Sequence, residues 1–121
     1  MSAIACKLLG RAEWAAWCAA GIYGGSAADR ADGFIHLSTP DQLAGTARRH
    51  YAGRDDLVLA EVVLDDLPGL VWEPSRGGAL FPHVYGDLTL AHVRAARALA
   101  VTAGGEMQPG EALAVGAGAA A

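Results

Sequence analysis

The sequence predicts an α+β domain in which a small mixed, mostly antiparallel sheet splits around a cleft and packs against two main helices. Two segments, 11–20 and 40–51, carry apolar residues at helical spacing. Short β-favouring segments, separated by Gly and Pro turns, surround them. With 121 residues and 53% hydrophobic content, the chain is long enough for one core and too short for two. We expect a single domain over residues 1–101 and a mobile Gly/Ala-rich tail over 102–121.

Charge and cysteine usage limit the class of protein. The net charge of −4 argues against a general nucleic-acid or membrane surface. Cys6 and Cys18 lack CxxC spacing and are typical of small buried residues in a reducing cytoplasm. Lys7, Arg11 and Glu13 interrupt any apolar signal region, and no segment reaches the roughly 18 apolar residues of a membrane helix. We therefore expect a cytoplasmic protein.

The chain begins with a predicted strand, helix and loop. The strand at 4–9 is short and mostly apolar, and Gly10 ends it. The helix at 11–20 places two tryptophans and a cysteine on one face, which predicts an anchor for the core. Paired glycines and small polar residues then predict a loop over 22–30.

A turn and a strand follow at residues 32–38. Asp32 and Gly33 form a turn signal, because Gly accepts positive φ and Asp can bond its own backbone. The alternation of side chains along the strand then places Phe34, His36 and Ser38 on one face. One face of this strand is therefore apolar and the other is partly polar.

The second helix, 40–51, has the clearest start signal in the chain. Thr39 suits the N-cap, and Gln42 stands three residues later, as in a capping box. Further strands are predicted at residues 57–64, 70–73, 80–85 and 94–101, the first of them central, with a single helical turn near 90–93. Pro82 favours an edge position for strand 80–85, because it cannot donate to a ladder.

Four segments supply side chains that could carry chemistry. They are His36 and Ser38 on the second strand, Glu73, Ser75 and Arg76 beside a glycine loop, His83 and Tyr85 on strand 80–85, and Tyr23 with Ser26 in the first loop. Residues two apart on a regular strand share a face, so each of the two strands presents one histidine and one hydroxyl together. If the two faces coincide, these groups line one polar pocket.

Each candidate also has a structural interpretation. His36 can be a hydrogen-bonded structural histidine, and the two tyrosines can lie at the edge of the core. Arg76 can pair with Glu73 or Asp87 in a solvated contact of little energetic value. An Arg in a glycine loop nevertheless suits a phosphate or a carboxylate.

Several common sites are not indicated. The histidines, at positions 36, 50, 83 and 92, show no ligand spacing, so no metal is expected, and those at 50 and 92 are assigned to the surface. No G-x-S-x-G elbow, P-loop or Rossmann glycine pattern is present.

Four motifs carry a resemblance to a known family. They are Lys7 with Arg11-Ala12-Glu13-Trp14, residues 31–38 (ADGFIHLS), residues 72–78 (WEPSRGG) and residues 81–86 (FPHVYG). In order and spacing they resemble a small bacterial family known as domain of unknown function 952, over about residues 4–101. A tyrosine usual in the first strand of that family is replaced here by Cys6.

The resemblance implies a fold similar to that of ADP-ribosyltransferases. The segment 35–38 (IHLS) is similar to the second-strand histidine motif of the RNA 2′-phosphotransferases, which handle NAD. By this likeness His36 would contact the NAD ribose, Tyr23 or Tyr85 would stack on nicotinamide, and Arg76 would meet the pyrophosphate. Such transferases place a Glu or Gln near the ribose, and Glu73 is the candidate on chemical grounds alone.

Three hypotheses follow for function. The first is a transferase-like pocket for NAD or another ADP-ribose-type ligand, with NAD as substrate. Its catalytic candidates are His36, Glu73 and His83, and its ligand-binding candidates are Tyr23, Ser38, Ser75, Arg76 and Tyr85. The second is a module that binds a nucleotide or phosphate ligand without chemistry. The third is a structural or protein-interaction domain in which the polar groups form an internal network.

Overall fold

The computed structural model describes residues 3–116, which form nine strands and three α-helices. The strands are β1 (Ile4–Gly10), β2 (Ile22–Tyr23), β3 (Ile35–His36), β4 (Leu57–Val63), β5 (Leu70–Pro74), β6 (Leu80–Val84), β7 (Leu88–Thr89), β8 (Val93–Val101) and β9 (Met107–Leu113). The helices are α1 (Arg11–Ala20), α2 (Ala27–Asp32) and α3 (Pro40–His50), with short 3-10 turns at Arg76–Gly78 and Leu90–His92. Among these residues no helix has the length and apolarity needed to cross a membrane.

The strands form three antiparallel sheets. The main sheet has the order β1-β4-β8-β9, a second has the order β3-β6-β5, and β2 pairs with β7. Cys6 on β1 and Ser38, just after β3, exchange two backbone hydrogen bonds of 2.7 and 2.9 Å. This bridge joins the two larger sheets and fixes the chemistry-bearing segment after β3 against the main sheet.

The main sheet is covered on both faces. Trp14, Trp17 and Cys18 of α1 pack in one cluster of buried residues with alternate side chains of β1 and β4. Leu43 and Ala47 of α3 pack in the other, with the opposite set of side chains from the same strands. This two-sided burial explains why β4 is nearly continuous in apolar residues.

Most of the predicted architecture is confirmed. The protein is α+β with antiparallel sheets, and α1 spans the predicted residues 11–20. Helix α3 begins at Pro40, and Gln42 Oε1 accepts the Thr39 backbone N–H at 3.1 Å, as the capping box requires. Strands β4, β5, β6 and β8 and the 3-10 turn before β8 lie at the predicted places.

The predicted loop at 22–30 is wrong in part, because it contains β2 and most of α2. Ser26 and Asp29 supply the reason. Ser26 Oγ accepts the Asp29 backbone N–H at 3.1 Å, and Asp29 Oδ2 accepts the Ser26 backbone N–H at 2.9 Å. This reciprocal cap stabilises a six-residue helix that propensity alone does not favour. Gly33, with φ of 88°, ends α2, so the predicted turn there is a helix C-terminus.

The predicted edge position of β6 is also wrong, since β6 lies between β3 and β5. The Pro82 carbonyl accepts the Leu37 backbone N–H at 3.0 Å, but proline has no N–H to return. The ladder between β3 and β6 stops at the His36–His83 pair, next to this position. A central proline is tolerated because its neighbour strand ends there.

The tail predicted to be mobile from residue 102 is wrong for residues 107–113, which form β9 and pair with β8. The two glycines interpreted as flexible instead make the hairpin turn. Gly105 has φ of 88°, and its N–H donates to the Thr102 carbonyl at 2.9 Å. Met107 and Leu113 then pack against the two hydrophobic clusters. The last part of the predicted tail, residues 117–121, lies outside the described residues.

Candidate ligand-binding cleft

A pocket of about 650 Å³, called the cleft below, opens between six elements. They are β1, α2, β3, α3, the 3-10 turn Arg76–Gly78 and β6. Five of the eight predicted site residues line it. They are His36, Ser38, Ser75, Arg76 and His83. Glu73 and Tyr85 do not line it: Glu73 contacts His83, and the Tyr85 hydroxyl donates to Glu73. Tyr23 does not line it either. Side chains from the two predicted polar strand faces, His36 and Ser38 on one and His83 on the other, therefore line the same cleft.

Asp29 is the most connected polar group beside the cleft. Its side chain is 2% exposed and accepts hydrogen bonds from Lys7 Nζ at 2.8 Å and from His36 Nδ1 at 2.6 Å. It also accepts the backbone N–H groups of His36 at 3.1 Å and Ser26 at 2.9 Å. Burial raises the pKa of this carboxyl, but the hydrogen bonds from His36 and Lys7 outweigh burial and hold the pKa well below its usual range. Asp29 is therefore an ionised, buried anchor.

His36 is bound on both sides by carboxylates. Its Nδ1 lies 2.6 Å from Asp29 Oδ1 and its Nε2 lies 2.9 Å from Asp32 Oδ2. Its backbone carbonyl accepts a hydrogen bond from Lys7 Nζ at 3.1 Å. With both ring nitrogens occupied, His36 has none left for a ligand unless the Asp32 contact opens. In this arrangement the His36 ring forms part of the cleft wall.

His83 is held differently. Its Nδ1 lies 2.7 Å from Glu73 Oε1, and the same oxygen accepts the Tyr85 hydroxyl at 2.8 Å. These two hydrogen bonds lower the pKa of Glu73. The ring of Phe34 stacks on the His83 ring with centroids 4.1 Å apart and also contacts the rings of His36 and Tyr85. The hydrogen bond to Glu73 and the stacking on Phe34 thus hold the His83 ring in one orientation beside the cleft.

Arg76 extends over the cleft from the 3-10 turn. Its guanidinium carbon lies 5.1 Å from the centre of the Phe81 ring, and Nη2 makes a long contact of 3.5 Å with Thr46 Oγ1. Thr46 in turn lies 2.8 Å from Ser38 Oγ. Over residues 3–116 no carboxylate forms an ion pair with Arg76, so the predicted alternative of pairing with Glu73 or Asp87 is wrong. Gly45 leaves room for Arg76, since a Cβ there would stand 3.1 Å from Nη2.

Tyr23, predicted as a ligand contact, belongs to the core. It is 6% exposed, its ring stacks on Trp17 with centroids 5.0 Å apart, and its hydroxyl donates to Glu13 Oε2 at 3.4 Å. Burial, with the nearby Glu13 carboxylate, raises the pKa of Tyr23 far above its usual range. It is therefore correctly interpreted as a core residue rather than as a stacking surface.

Three important polar residues were missed from the sequence: Lys7, Asp29 and Thr46. Lys7 is the one lysine of the chain and stands inside an apolar strand, which indicates a buried partner. Asp29 follows Ser26 by three residues, which is capping-box spacing. No local signal distinguishes Thr46 on α3, whose contacts are with Ser38, just after β3, and with Arg76 in the 3-10 turn Arg76–Gly78.

The cleft contains no metal-binding cluster, since residues 3–116 show no group of three or more His, Cys, Asp or Glu side chains suited to one. Cys6 lines the cleft and both cysteines are free. Burial and the nearby Glu61 carboxylate raise the pKa of the Cys6 thiol to about 11, so it stays protonated and is a poor nucleophile. The lining groups that remain available to a ligand include His83, the hydroxyls and Arg76.

The fold and the cleft define a small α+β protein with a polar, histidine-lined pocket. Residues 8–96 match the family described as "Protein of unknown function (DUF952)", and the chain belongs to this family, as its motifs predicted. The crystal structure of protein CC0527 from Caulobacter crescentus is similar, with a TM-score of 0.82 and 45% identity over 87% of this chain and 93% of that one.

Two further structures of CC0527 agree. A double mutant gives a TM-score of 0.82 at 44% identity, covering 87% of this chain and 93% of that one. The solution NMR structure gives 0.75 at 46% identity, covering 84% of this chain and 89% of that one. No curated protein matches the chain. The family and the fold are therefore known, and function has to be argued from the cleft.

The Lys7–Asp29 pair generates a first prediction. Because both side chains are almost fully buried, removing one leaves an uncompensated charge. We expect Lys7→Met to lower the free energy of unfolding by about 3–5 kcal/mol in urea denaturation. The control is Arg94→Ala, which breaks a pair of 2.7 Å whose side chains are 58% and 31% exposed and should cost less than about 1 kcal/mol. Equal stability of Lys7→Met and the unchanged protein would contradict the assigned role.

The pKa of Asp29 generates a second prediction. The folded protein holds this pKa below the value of about 3.9 in an unfolded chain, so near pH 4 and below the unfolded state binds more protons. The stability from Asp29 is present above that value and is lost as pH falls. We expect the free energy of unfolding to decrease from about pH 5 to pH 2, with up to about 1.4 kcal/mol per pH unit from this group.

Chemical denaturation at stepped pH measures this slope. Asp29→Asn should flatten it, and Lys7→Met, which weakens the same interaction, should flatten it less. Other carboxylates, Glu73 and Asp56 among them, also have lowered pKa values and contribute to the remaining slope. An identical slope in all three proteins would show that Asp29 is not the group that titrates.

Proposed function

We propose that the cleft binds a small phosphate-bearing nucleotide of the NAD or ADP-ribose class. The observation that carries the proposal is the Arg76 guanidinium, which extends over the cleft without a carboxylate partner among residues 3–116. Arg presents several N–H donors in a planar fork that suits phosphate oxygens. The hydroxyls of Ser38, Thr46 and Ser75 lie along the same wall and supply further hydrogen bonds.

The electrostatics on this wall favour an anion. His50 lines the cleft, and burial, followed by the positive charges of Arg76 and Arg49, holds its pKa below the usual range. A cation that lowers the pKa of its neighbour also attracts an anion to the same place. Arg76 and Arg49 therefore supply positive charge near this wall although the whole chain carries a net charge of −4.

The dimensions of the cleft also suit such a ligand. Its volume of about 650 Å³ lies within the usual size range of small-molecule sites. Phe81 supports the Arg76 guanidinium, and Tyr85 is 47% exposed, whereas Tyr23 is buried. Of the two tyrosines considered for stacking on a base or on nicotinamide, Tyr85 is the one accessible to a ligand. The resemblance to ADP-ribosyltransferases selects this ligand class from among phosphates in general.

We expect NAD, ADP-ribose or AMP to stabilise the protein against heat. At one hundred times its dissociation constant, a ligand that binds only the native state adds about 2.7 kcal/mol, which raises the melting temperature by several degrees. Arg76→Ala should weaken binding by about 10- to 100-fold, as expected for a hydrogen bond to a charged group. Thermal shift and titration calorimetry measure both quantities.

The matched control for Arg76→Ala is Arg97→Ala, because Arg97 is exposed on β8, outside the cleft, and donates to the Gly110 carbonyl. It removes the same charge and should leave binding unchanged. Equal losses in both variants would show a nonspecific charge effect. No stabilisation by any nucleotide, together with unfolding of both His36→Ala and Arg76→Ala, would instead support the purely structural hypothesis.

We propose binding without turnover, because the carboxylates that face the cleft are already engaged. Asp32 contacts His36 at 2.9 Å, and Glu13 accepts from the Gly10 backbone at 3.1 Å and from Tyr23. Glu73, the catalytic candidate from the sequence, does not line the cleft. A carboxylate free to stabilise an oxocarbenium-like transition state is thus missing among the described lining residues.

We accordingly expect no release of nicotinamide from NAD above the rate of a protein-free blank, measured by chromatography over hours at neutral pH. The transferase hypothesis predicts release that His36→Ala or Glu13→Gln abolishes while Arg97→Ala preserves it. Release with that pattern would overturn the proposal of binding alone and leave the ligand class intact.

A further inference from the structure

Two of the three histidines that line the cleft, His36 and His83, differ in what their ring nitrogens contact. Both nitrogens of His36 contact carboxylates, at 2.6 and 2.9 Å. His83 uses only Nδ1, which lies 2.7 Å from Glu73 Oε1, and among residues 3–116 its Nε2 has no hydrogen-bond partner. The side chain of His83 is nonetheless 5% exposed and lines the cleft. A largely buried histidine therefore keeps one nitrogen unused beside a solvent-filled pocket.

Glu73 determines which ring nitrogen of His83 carries the hydrogen. Glu73 accepts hydrogen bonds from both His83 and Tyr85, and these bonds lower its pKa, so it is ionised at neutral pH and can only accept. Nδ1 must then carry the hydrogen, and in the neutral ring Nε2 holds a lone pair. Phe34, stacked at 4.1 Å, prevents the ring from rotating freely. Glu73, Tyr85 and Phe34 are the positioning residues of this arrangement.

Nε2 is also reachable. Within the described part of the chain, the inaccessible side-chain nitrogens and oxygens without a partner are the indole nitrogens of Trp14 and Trp17. Nε2 of His83 is therefore open to the cleft rather than sealed in the core. A ligand that covers Nε2 removes it from solvent and must supply a donor in return, because an acceptor left buried without a donor is unfavourable.

We propose that His83 Nε2 accepts a hydrogen bond from a ribose hydroxyl of the ligand, while Arg76 binds its phosphate. A phosphate is mostly ionised at neutral pH and offers chiefly acceptor oxygens, so it matches Arg76 better than it matches a lone pair. A sugar hydroxyl can donate and does match it. The inference rests on the proposed nucleotide ligand and narrows it to those with a free hydroxyl on the ribose.

The test compares ligands that differ by one hydroxyl. Titration calorimetry gives the dissociation constants of AMP, 2′-deoxyAMP, 3′-deoxyAMP and inorganic pyrophosphate for the unchanged protein and for His83→Phe. Phe keeps an aromatic ring against Phe34 and removes Nε2. The control, His92→Phe, alters a histidine in the 3-10 turn before β8, outside the cleft.

We expect one deoxy analogue to bind the unchanged protein about 3- to 10-fold more weakly than AMP, the range of a single neutral hydrogen bond. His83→Phe should bind AMP as weakly as that analogue, so that the difference disappears, and should bind pyrophosphate normally. Glu73→Ala, which frees the tautomer but keeps the ring, should reduce the same difference. If His83→Phe does not fold, Glu73→Ala alone tests whether Nε2 of His83 accepts the ribose hydroxyl.

Three results would overturn the assignment while leaving nucleotide binding in place. They are equal affinity for AMP and both deoxy analogues, a difference that persists in His83→Phe and Glu73→Ala, and a loss of pyrophosphate affinity in His83→Phe equal to the loss of AMP affinity. The last would mean that His83 meets the phosphate. Failure of the unchanged protein to bind AMP, NAD or ADP-ribose would reject the proposed function, and this assignment with it.

Discussion

The carboxylate of Asp29 holds together three parts of the chain that are distant in sequence. It receives four hydrogen bonds, from Lys7 on β1, from the side chain and backbone of His36 on β3, and from the Ser26 backbone at the start of α2. An isolated buried charge would be strongly unfavourable, and only a full set of donors makes this position tenable. Once it is satisfied, the carboxylate fixes the direction of β3 relative to β1, and with it one wall of the cleft. The Cys6–Ser38 bridge fastens the same wall two residues further on.

The polar residues of the cleft fall into two sets, one that shapes it and one that keeps hydrogen-bonding groups available to a ligand. Lys7, Asp29, Asp32 and His36 satisfy one another, so they shape the cleft without being free to bind. His83 and Arg76 each keep a hydrogen-bonding group available, one an acceptor and the other a set of donors. A histidine is therefore better judged by what its second nitrogen contacts than by its presence in a motif.

Much of the fold could be predicted because its signals are local. Helices α1 and α3 follow from apolar spacing and from the Thr39 cap, and β4 from its apolar run. The failures involve partners far apart in the chain. Helix α2 depends on an Asp whose other contacts are on β1 and β3, and β9 depends on pairing with β8. The candidate site was predicted to the extent that strand alternation places side chains on a face, and Tyr23 was misplaced because a loop offers no such rule.

The ligand class of an acidic protein cannot be taken from its net charge. In this chain two negative charges near the cleft are paired locally with cations: Asp29 with Lys7 at 2.8 Å, and Asp56 with Arg54 through two bonds of 3.0 Å. Each such pair presents little field at the distance of a ligand, because opposite charges a few ångströms apart largely cancel. Arg76 lacks that compensation among residues 3–116, so its positive charge remains at its wall although the sequence total is −4. A net charge sums over the whole chain, whereas a ligand at this wall meets first the charge that folding leaves unpaired there, which is that of Arg76.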